Sequence, residues 1–425
     1  MNLTLKNIGK IQDAVVEING ITVIAGANNT GKSTIGKTLY SVFNSFYNIE
    51  KQIRFERIQS IESLLDIMYR DTMNRLTSRV NTEEIAEEIV DHKDRYNQDS
   101  QNLKEEILNS IYQYDKNFEK HSENNSIEET IQRILDVLRV SDEDIFKTVL
   151  NKKLDVEFNG QISNIFSPNN GCIELQIKDQ VVSIYVSANI VTQINNRVDL
   201  RTETVYLDDP FVLDEQRLFG FIRYSYYYLD HKSHLRTKLF SPQKDVNVIN
   251  EIVTNNKFEN IFNKINLICS GDIVRKGRST WGYKKANTDK VFDIKNISTG
   301  LKTFIILKTL LANGTIEPNG TIILDEPEIH LHPEWQLLFA ELIVLIQKEF
   351  GMHILINTHS PYFLNAIEVY SAKYEIANKC KYYLATILEE NSYIKDVTEN
   401  VELIYSKLAR PLQDLENERY RYDQP

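Results

Sequence analysis

The sequence predicts an α/β fold, in which a mixed sheet with flanking helices is interrupted by a largely helical insertion. A glycine-rich turn stands between an apolar strand and a helix within residues 21–43. Strand and helix patterns alternate between residues 303 and 366, which is typical of a parallel sheet wrapped by helices. Neither glycine nor proline occurs from Lys37 to Asn159, as expected where helices exclude residues that break them.

These patterns divide the chain into six segments. We expect an N-terminal part of the main body at 1–45, a helical insertion at 46–153, a β-rich return at 154–210, a helical lobe at 211–270, a C-terminal part of the main body at 271–400, and a C-terminal helix or tail at 401–425. In the insertion, Ser126 to Glu129 fits a capping box and Ser141 to Asp144 fits its looser form, so several separate helices are predicted.

Strands are predicted where β-branched residues and alternation return after the insertion. They are Val156–Phe158, Cys172–Ile177, Val181–Val186 and Thr204–Leu207. A hairpin is expected within 272–294, with its turn at either Lys276-Gly277 or Trp281-Gly282. Helix is predicted again within 213–239.

Composition narrows the function classes. A chain of 425 residues has room for two or three domains, and a net charge of −11 argues against broad adhesion to nucleic acid while leaving a local basic groove open. Three scattered cysteines indicate neither a disulfide framework nor a zinc site. The longest apolar run, Leu337 to Ile346, contains Glu341 and is too short to cross a bilayer. We expect a cytoplasmic protein without a membrane partner.

The glycine-rich turn, Gly26 to Ser33, reads G-x-x-x-x-G-K-S, the pattern of a phosphate-binding P-loop. Its glycines let backbone N–H groups turn toward phosphate oxygens, and the helix that follows favours anions at its N-terminus. Lys32 is expected to reach the β- and γ-phosphates, Ser33 to hold Mg²⁺ and Thr34 to assist at the α-phosphate. The predicted cofactors are ATP and Mg²⁺, and the candidate binding residues here are Gly26, Asn28, Asn29, Thr30, Gly31, Lys32, Ser33 and Thr34.

A second apolar strand, Thr321 to Leu324, leads into the carboxylates of Asp325 and Glu326. Ligands of open α/β sheets bind at the carboxyl ends of the strands. Asp325 is therefore the candidate that holds magnesium through water, and Glu326 is the candidate general base for the attacking water.

The segment Leu324 to Gln336 resembles the Walker B region of the RecF/SMC/OLD group of ABC-type ATPases. Three further motifs of that group resemble parts of this chain: the P-loop with Asn28, the segment Asn296 to Lys302 and the segment Asn357 to Pro361. All four motifs follow one another along the chain in the order found in that group. The resemblance implies an ABC-type P-loop ATPase head. It also implies that His359 contacts the γ-phosphate or the attacking water, and a buried structural histidine is the less favoured alternative.

The resemblance further implies that Ser298 and Gly300 contact a nucleotide held by the opposite subunit. The expected assembly is then a head-to-tail homodimer or a higher homo-oligomer. The group also places a glutamine after the strand ending at Leu207, where this chain has Asp208 and Asp209. Either carboxylate can reach the water shell of the magnesium ion, or Asp209-Pro210 is a helix-start turn.

Two other patterns are weaker. His330 and His332 share one face of an extended segment, but no cysteine or third histidine lies near them in sequence, so a metal site is not favoured. Basic residues alternate with Trp281 and Tyr283, which suits single-stranded nucleic acid, although a solvated hairpin is the simpler interpretation.

Three function classes remain open. The C-terminal half resembles compact ATPases of Septu-type and PARIS-type anti-phage systems, which implies an ATPase that regulates a separate effector, most simply a nuclease. A self-contained OLD-like nuclease is disfavoured, because only 66 residues follow His359. The alternative is a RecF- or SMC-like ATPase of DNA repair or chromosome maintenance.

Overall fold

The computed structural model describes residues 1–75, 77, 79–96, 100–118, 125–215, 228–240, 259–277 and 280–422, apart from the side chains of Leu412 and Tyr420. The chain forms two compact units. The first contains Met1–Tyr47 and Leu150–Pro425, and the second contains Asn48–Val149.

The first unit is built on an 11-stranded mixed sheet. Its strands are β1 (Asn2–Ile8), β2 (Ile11–Glu17), β3 (Ile21–Ala25), β4 (Gly171–Ile177), β5 (Gln180–Ser187), β6 (Ile190–Asn195), β7 (Thr204–Leu207), β11 (Thr321–Asp325), β12 (His353–Thr358), β13 (Cys380–Leu388) and β14 (Asn391–Asp396). The spatial order is β6-β5-β4-β1-β2-β14-β13-β3-β12-β11-β7. From β13 to β7 all neighbours are parallel, whereas β2, β1, β4, β5 and β6 form an antiparallel meander. A separate antiparallel sheet contains β8 (Asp272–Arg275), β9 (Trp281–Lys284) and β10 (Val291–Asp293).

Helices flank the parallel strands of this unit. They are α1 (Lys32–Phe46), α8 (His231–Phe240), α9 (Thr299–Ala312), α10 (Pro333–Phe350), α11 (Pro361–Lys373), α12 (Glu402–Leu408) and α13 (Arg410–Tyr422). Short 3₁₀ helices occupy Pro210–Leu213, Ile294–Asn296 and Ala377–Lys379. All residues of β3, β7 and β11 are buried, and strands covered on both faces need such continuous apolar sequences.

The second unit is helical. Its helices are α2 (Ile49–Met73), α3 (Thr82–Asp91), α4 (Lys93–Tyr96), α5 (Ser100–Tyr114) and α6 (Asn125–Arg139), and α7 (Asp142–Phe158) begins in this unit. Their apolar faces form one core around Ile61, Leu65 and Ile107. The predicted cap of α7 is confirmed, since Ser141 accepts from the backbone N–H of Asp144 and donates to its carboxylate.

The predicted fold class is confirmed, and the structure decides two local predictions. The strand predicted at Val156–Phe158 is wrong, because α7 continues to Phe158 and ends only where Asn159 and Gly160 adopt positive φ angles of 50° and 78°. The hairpin turns at Lys276-Gly277, and Trp281-Gly282 lies within a strand. Strands β13 and β14 were not predicted.

Parts of the predicted helical lobe, 216–227 and 241–258, lie outside the described residues. Among the helices that the structure does describe, none combines the length and the apolar composition needed to span a bilayer.

Glu341, which interrupts the longest apolar run, is buried on α10. Burial disfavours its charged form, but hydrogen bonds from Tyr374, Lys264 and Lys373 outweigh that effect and lower the pKa of Glu341 to about 2. A carboxylate whose pKa falls on folding stabilises the protein above its ordinary pKa of 4.5, and this contribution disappears as the pH falls through about 2.

We expect Glu341→Gln to lower the free energy of unfolding at pH 7 by about 1–3 kcal/mol, because a charged acceptor of several hydrogen bonds is lost. The difference should shrink between pH 4.5 and pH 2, as measured by denaturant unfolding at several pH values. Glu334→Gln, on an exposed position of the same helix, should change stability by less than about 0.5 kcal/mol. An equal effect of Glu341→Gln at pH 7 and near pH 2 would contradict this account.

Candidate active site

The P-loop connects β3 to α1, and Gly31 adopts a φ angle of 81° at the N-cap of α1. Gly26 leaves β3 and donates its N–H to the carbonyl of Thr358 on β12 at 3.3 Å. A Cβ on Gly26 would lie 2.7 Å from the carbonyl oxygen of Ala385 on β13. Glycine is therefore required here because the loop packs directly on the backbone of a neighbouring strand.

Lys32 is buried at the start of α1. Its Nζ donates to the carbonyl oxygens of Gly26 at 3.0 Å and Ala27 at 2.9 Å, and it lies 3.5 Å from Oε1 of Glu326. The cation thus bridges the two sequence motifs. The remaining predicted P-loop residues surround it: Asn28, Asn29 and Ser33 are exposed, Thr34 is half-buried, and Thr30 is buried with its hydroxyl on the carbonyl of Ala27.

Asp325 lies at the carboxyl end of β11 and is buried. Its Oδ2 accepts a hydrogen bond of 2.6 Å from the hydroxyl of Tyr206 on β7, whereas its Oδ1 is buried without a hydrogen-bond partner among the described residues. Burial and the adjacent Asp325 carboxylate hold the pKa of Tyr206 well above its usual value of 10, so the phenol is the donor.

Glu326 follows with a φ angle of 50°, a conformation that costs a residue with a side chain on the order of 1–3 kcal/mol. The hydrogen bond from its N–H to the carbonyl of Asn357, at 2.9 Å, holds it there. Its Oε1 lies 3.2 Å from Nδ1 of His359, which follows β12. Both side chains are partly exposed, so the carboxylate, the imidazole and the Lys32 ammonium meet at a surface that solvent reaches.

Next to them, Glu328 is almost fully buried and accepts a hydrogen bond from the hydroxyl of Thr358. Burial raises the pKa of Glu328, and the bond from Thr358 acts in the opposite direction. This contact attaches the turn after β11 to the end of β12, and sequence reasoning assigned it no role.

Lys32, Asp325 and Glu326 border an open cleft of about 540 Å³. The described residues that line it come from the P-loop, the end of β11 and the turn after it, the segments after β1 and β7, and the first turn of α8: Lys10, Asn28, Asn29, Thr30, Gly31, Lys32, Ser33, Thr34, Asp208, Asp209, Lys232, Asp325, Glu326, Ile329 and His330. The predicted P-loop and Walker B residues therefore share one cleft. Lys10, Lys232 and Ile329 were not predicted, because only the strand order brings them to the P-loop.

Asp208 and Asp209 both line the cleft but have different partners. The Asp209 carboxylate accepts from the N–H of Phe211 and caps a 3₁₀ helix, so the helix-start interpretation applies to it. Asp208 pairs with Lys232 at 3.2 Å and with His231 at 3.0 Å. His231 also contacts Glu157 at 2.8 Å, and despite its burial these two carboxylates raise the pKa of His231 to about 9.

The residues present fit a magnesium ion. Oδ1 of Asp325 is a buried anionic oxygen without a hydrogen-bond partner in the described structure, and metal coordination through water would satisfy it. The Ser33 side chain is exposed at the start of α1, on the same cleft.

Ser298 and Gly300 do not line this cleft. Ser298 is the exposed N-cap residue of α9, and a Cβ on the buried Gly300 would lie 2.9 Å from the carbonyl oxygen of His330. Lys302 on the same helix donates to both carboxylate oxygens of Asp214, at 2.6 and 2.8 Å. The segment Asn296 to Lys302, called the signature segment below, does not line the cleft of its own chain, and its contact with a nucleotide stays a prediction.

The structure also bears on the two weaker patterns. Within the described residues, no group of three or more His, Cys, Asp or Glu side chains is arranged to hold a metal ion. In the basic hairpin, Trp281 stacks on Phe240 with ring centroids 4.9 Å apart, and the Tyr283 hydroxyl accepts from the N–H of Gly271 at 2.8 Å. These aromatic rings are already packed against the protein.

Comparison with known proteins agrees with the motifs. A family model described as an AAA ATPase domain matches residues 1–364. A stretch of 110 residues is 29% identical to the Retron Ec83 probable ATPase of Escherichia coli and covers 22% of this chain, but only 20% of that protein. Among solved structures, the Smc head bound to the C-winged helix domain of ScpA covers 95% of this chain at 14% identity, with a TM-score of 0.42 and 98% of its own length aligned. The SMC head domain from Thermotoga maritima covers 93% at 11% identity, with a TM-score of 0.37 and 98% of its own length aligned.

We expect Gly26→Ala to weaken nucleotide binding by at least about tenfold, or about 1.4 kcal/mol, because the added methyl group forces the P-loop away from Ala385. Binding of a fluorescent ATP analogue measures this. Gly277→Ala, whose methyl group would meet only the end of the Thr280 side chain, is the matched control and should bind normally. Unchanged binding by Gly26→Ala would show that the packing on β13 does not shape the loop.

Proposed function

The chain belongs to the family of AAA ATPase domains and is an ATP hydrolase, and on that premise we propose that two copies share their ATP sites head to tail and control a separate effector. The observation that carries the proposal is the meeting of Lys32, Glu326 and Asp325 in one cleft, with His359 3.2 Å from the Glu326 carboxylate. The effector that we propose is a nuclease, and the setting is prokaryotic defence against phage.

In this proposal, the phosphates of ATP take the place of the two P-loop carbonyls as partners of the Lys32 ammonium. The backbone N–H groups of Asn29, Thr30 and Gly31 and the N-terminus of α1 surround the phosphates, and Thr34 assists at the α-phosphate. Ser33 and Asp325 would hold Mg²⁺, which supplies positive charge against the charge that develops on the transferred phosphoryl group.

Glu326 would act as the general base. Its carboxylate accepts a proton from the water that attacks the γ-phosphate, and Lys32 and His359 on either side keep the carboxylate in place. His359 is exposed enough to donate a hydrogen bond to the γ-phosphate or to the water. The left-handed backbone of Glu326 turns its side chain out of the strand direction, toward Lys32.

The shared site is supported by the positions of Ser298 and Gly300. Ser298 is exposed at the start of a helix, where hydroxyl and amide groups suit a γ-phosphate, but it lies outside the cleft of its own chain. A second copy in head-to-tail orientation would bring these groups over the nucleotide. Nucleotide would then hold the dimer together, and hydrolysis would release it.

The defence setting has two supports. The C-terminal half resembles the compact ATPases of Septu-type and PARIS-type systems, and part of the chain is similar to a probable retron ATPase. The chain matches only a fifth of that relative's length, so partner and trigger do not follow from it. The alternative is a RecF- or SMC-like role on DNA. The aromatic rings of the hairpin pack against the protein, which argues against binding of single-stranded nucleic acid by this hairpin.

We expect Glu326→Gln to bind ATP with Mg²⁺ but to lose hydrolysis by about 10²–10⁴-fold, because the general base is removed while the size and shape of the side chain are nearly retained. It should accumulate as an ATP-dependent dimer, seen as a doubled mass by light scattering. Lys32→Ala should lose nucleotide binding and remain monomeric. No change in mass of Glu326→Gln on adding ATP would refute the shared-site model, while normal ATP binding by Lys32→Ala would refute the P-loop assignment.

A mixing experiment separates a shared site from a site within one chain. Lys32→Ala and Ser298→Arg should each be inactive, but their heterodimer contains one intact P-loop facing one intact signature segment. An equal mixture should therefore recover ATPase activity that neither variant shows alone, and at most half of the wild-type activity, because each heterodimer has one complete site out of two. Recovery near zero, with both variants folded, would indicate that Ser298 does not act across the interface.

For the defence role, wild-type chain expressed with its neighbouring genes should lower phage plating efficiency, and Lys32→Ala should abolish this protection. Sensitivity to DNA damage in the absence of any effect on phage would favour the repair alternative.

A further inference from the structure

Tyr206 on β7 contacts Asp325 at the end of the neighbouring strand β11. Strands β7 and β11 are parallel neighbours, and their register places Tyr206 beside Ile323, two residues before Asp325. From there the buried phenol reaches Oδ2 of Asp325 at 2.6 Å. The other oxygen of this carboxylate, Oδ1, is left without a hydrogen-bond partner among the described residues.

We propose that Tyr206 is a positioning residue for Asp325, and that its hydroxyl determines which carboxylate oxygen is available to the metal of the nucleotide complex. This inference rests on the proposed Mg-ATP site. A carboxylate at a strand end can rotate, and a single strong donor on one oxygen selects one orientation. Partners of this kind typically contribute a factor of roughly 10–100 to metal affinity.

The surroundings of Tyr206 hold its ring in one position. On one face, His231 stacks on the ring with centroids 4.4 Å apart and planes 24° apart. His231 is itself held between the carboxylates of Glu157 and Asp208. Its imidazole is therefore fixed from both sides, and the stacked phenol has little freedom to move away from Asp325.

Gly36 on helix α1 leaves space for the hydroxyl group of Tyr206. A Cβ on Gly36 would lie 3.1 Å from the hydroxyl oxygen of Tyr206 and 3.2 Å from Ile323. These distances are tighter than ordinary carbon contacts, so a larger residue at position 36 would displace the phenol. Because Tyr206 donates to Asp325, the residue at position 36 affects the orientation of Asp325 through the position of the phenol.

The test uses Mn²⁺ as the metal probe and ATPγS as the nucleotide, with the full chain. Mn²⁺ binding is measured by electron paramagnetic resonance with ATPγS below the concentration of protein sites, so that nearly all the nucleotide is bound to protein, and ATPγS binding is measured separately in EDTA. Tyr206→Phe keeps the ring stacked on His231 but removes the donor. We expect about 10–100-fold weaker Mn²⁺ binding and nearly unchanged ATPγS binding without metal.

Tyr40→Phe is the matched control. Tyr40 is a buried tyrosine on α1, its ring lies 6.4 Å from that of Tyr206, and its hydroxyl donates to the carbonyl of Leu229. Removal of this hydroxyl should leave Mn²⁺ affinity unchanged. Gly36→Ala provides a second route to the same defect, since it pushes the phenol while keeping its hydroxyl, and it should weaken Mn²⁺ binding without abolishing ATPγS binding in EDTA.

The outcomes are distinguishable. If Tyr206→Phe is folded by thermal denaturation and binds Mn²⁺ with wild-type affinity, Tyr206 does not position the metal ligand. Equal losses in Tyr206→Phe and Tyr40→Phe would assign the effect to general packing and would also overturn the inference. If the wild-type chain binds no Mn²⁺ with ATPγS, the proposed Mg-ATP site itself is wrong.

Discussion

The parallel alignment of β3, β12, β11 and β7 is the constraint on which the rest of the candidate site depends. Backbone pairing places Ala25 opposite Thr358, Asp325 opposite Asn357, and Leu324 opposite Leu207. The strands therefore end together at one edge of the sheet. The P-loop, the two carboxylates, the histidine and Asp208 each follow one of these ends, so a shift of one strand by one residue would turn its side chains to the opposite face.

At that edge of the sheet, several acidic side chains lie beside basic ones. The ammonium of Lys32 faces Glu326, and His359 approaches the same carboxylate oxygen from the other side. Asp208 is balanced by Lys232 and His231. Tyr206 donates to Oδ2 of Asp325, and among the described residues Oδ1 of the same carboxylate has no hydrogen-bond partner.

Local patterns predicted much of this arrangement. The fold class, the ATP hydrolase activity and the ATPase family are confirmed, since the family model spans most of the chain. The candidate residues from Gly26 to Thr34 and the pair Asp325 and Glu326 do lie together, while their catalytic roles stay predictions. The prediction of a strand at Val156–Phe158 is wrong because the β-branched and aromatic residues there favour a strand only locally. In the structure these residues continue helix α7, in which Leu154 is buried and Glu157 contacts His231.

By itself, the sequence determined the P-loop, the order of the motifs and the helical nature of the insertion. These features depend on backbone requirements that neighbouring residues express directly: glycine where an N–H must face a phosphate, apolar runs where a strand is buried, and no breakers where helices continue. Only the tertiary structure decided that Tyr206 meets Asp325, 119 positions away, and that His231 supports the same tyrosine. Such contacts depend on strand order and register, which are set by the packing of the whole sheet and not by any local pattern.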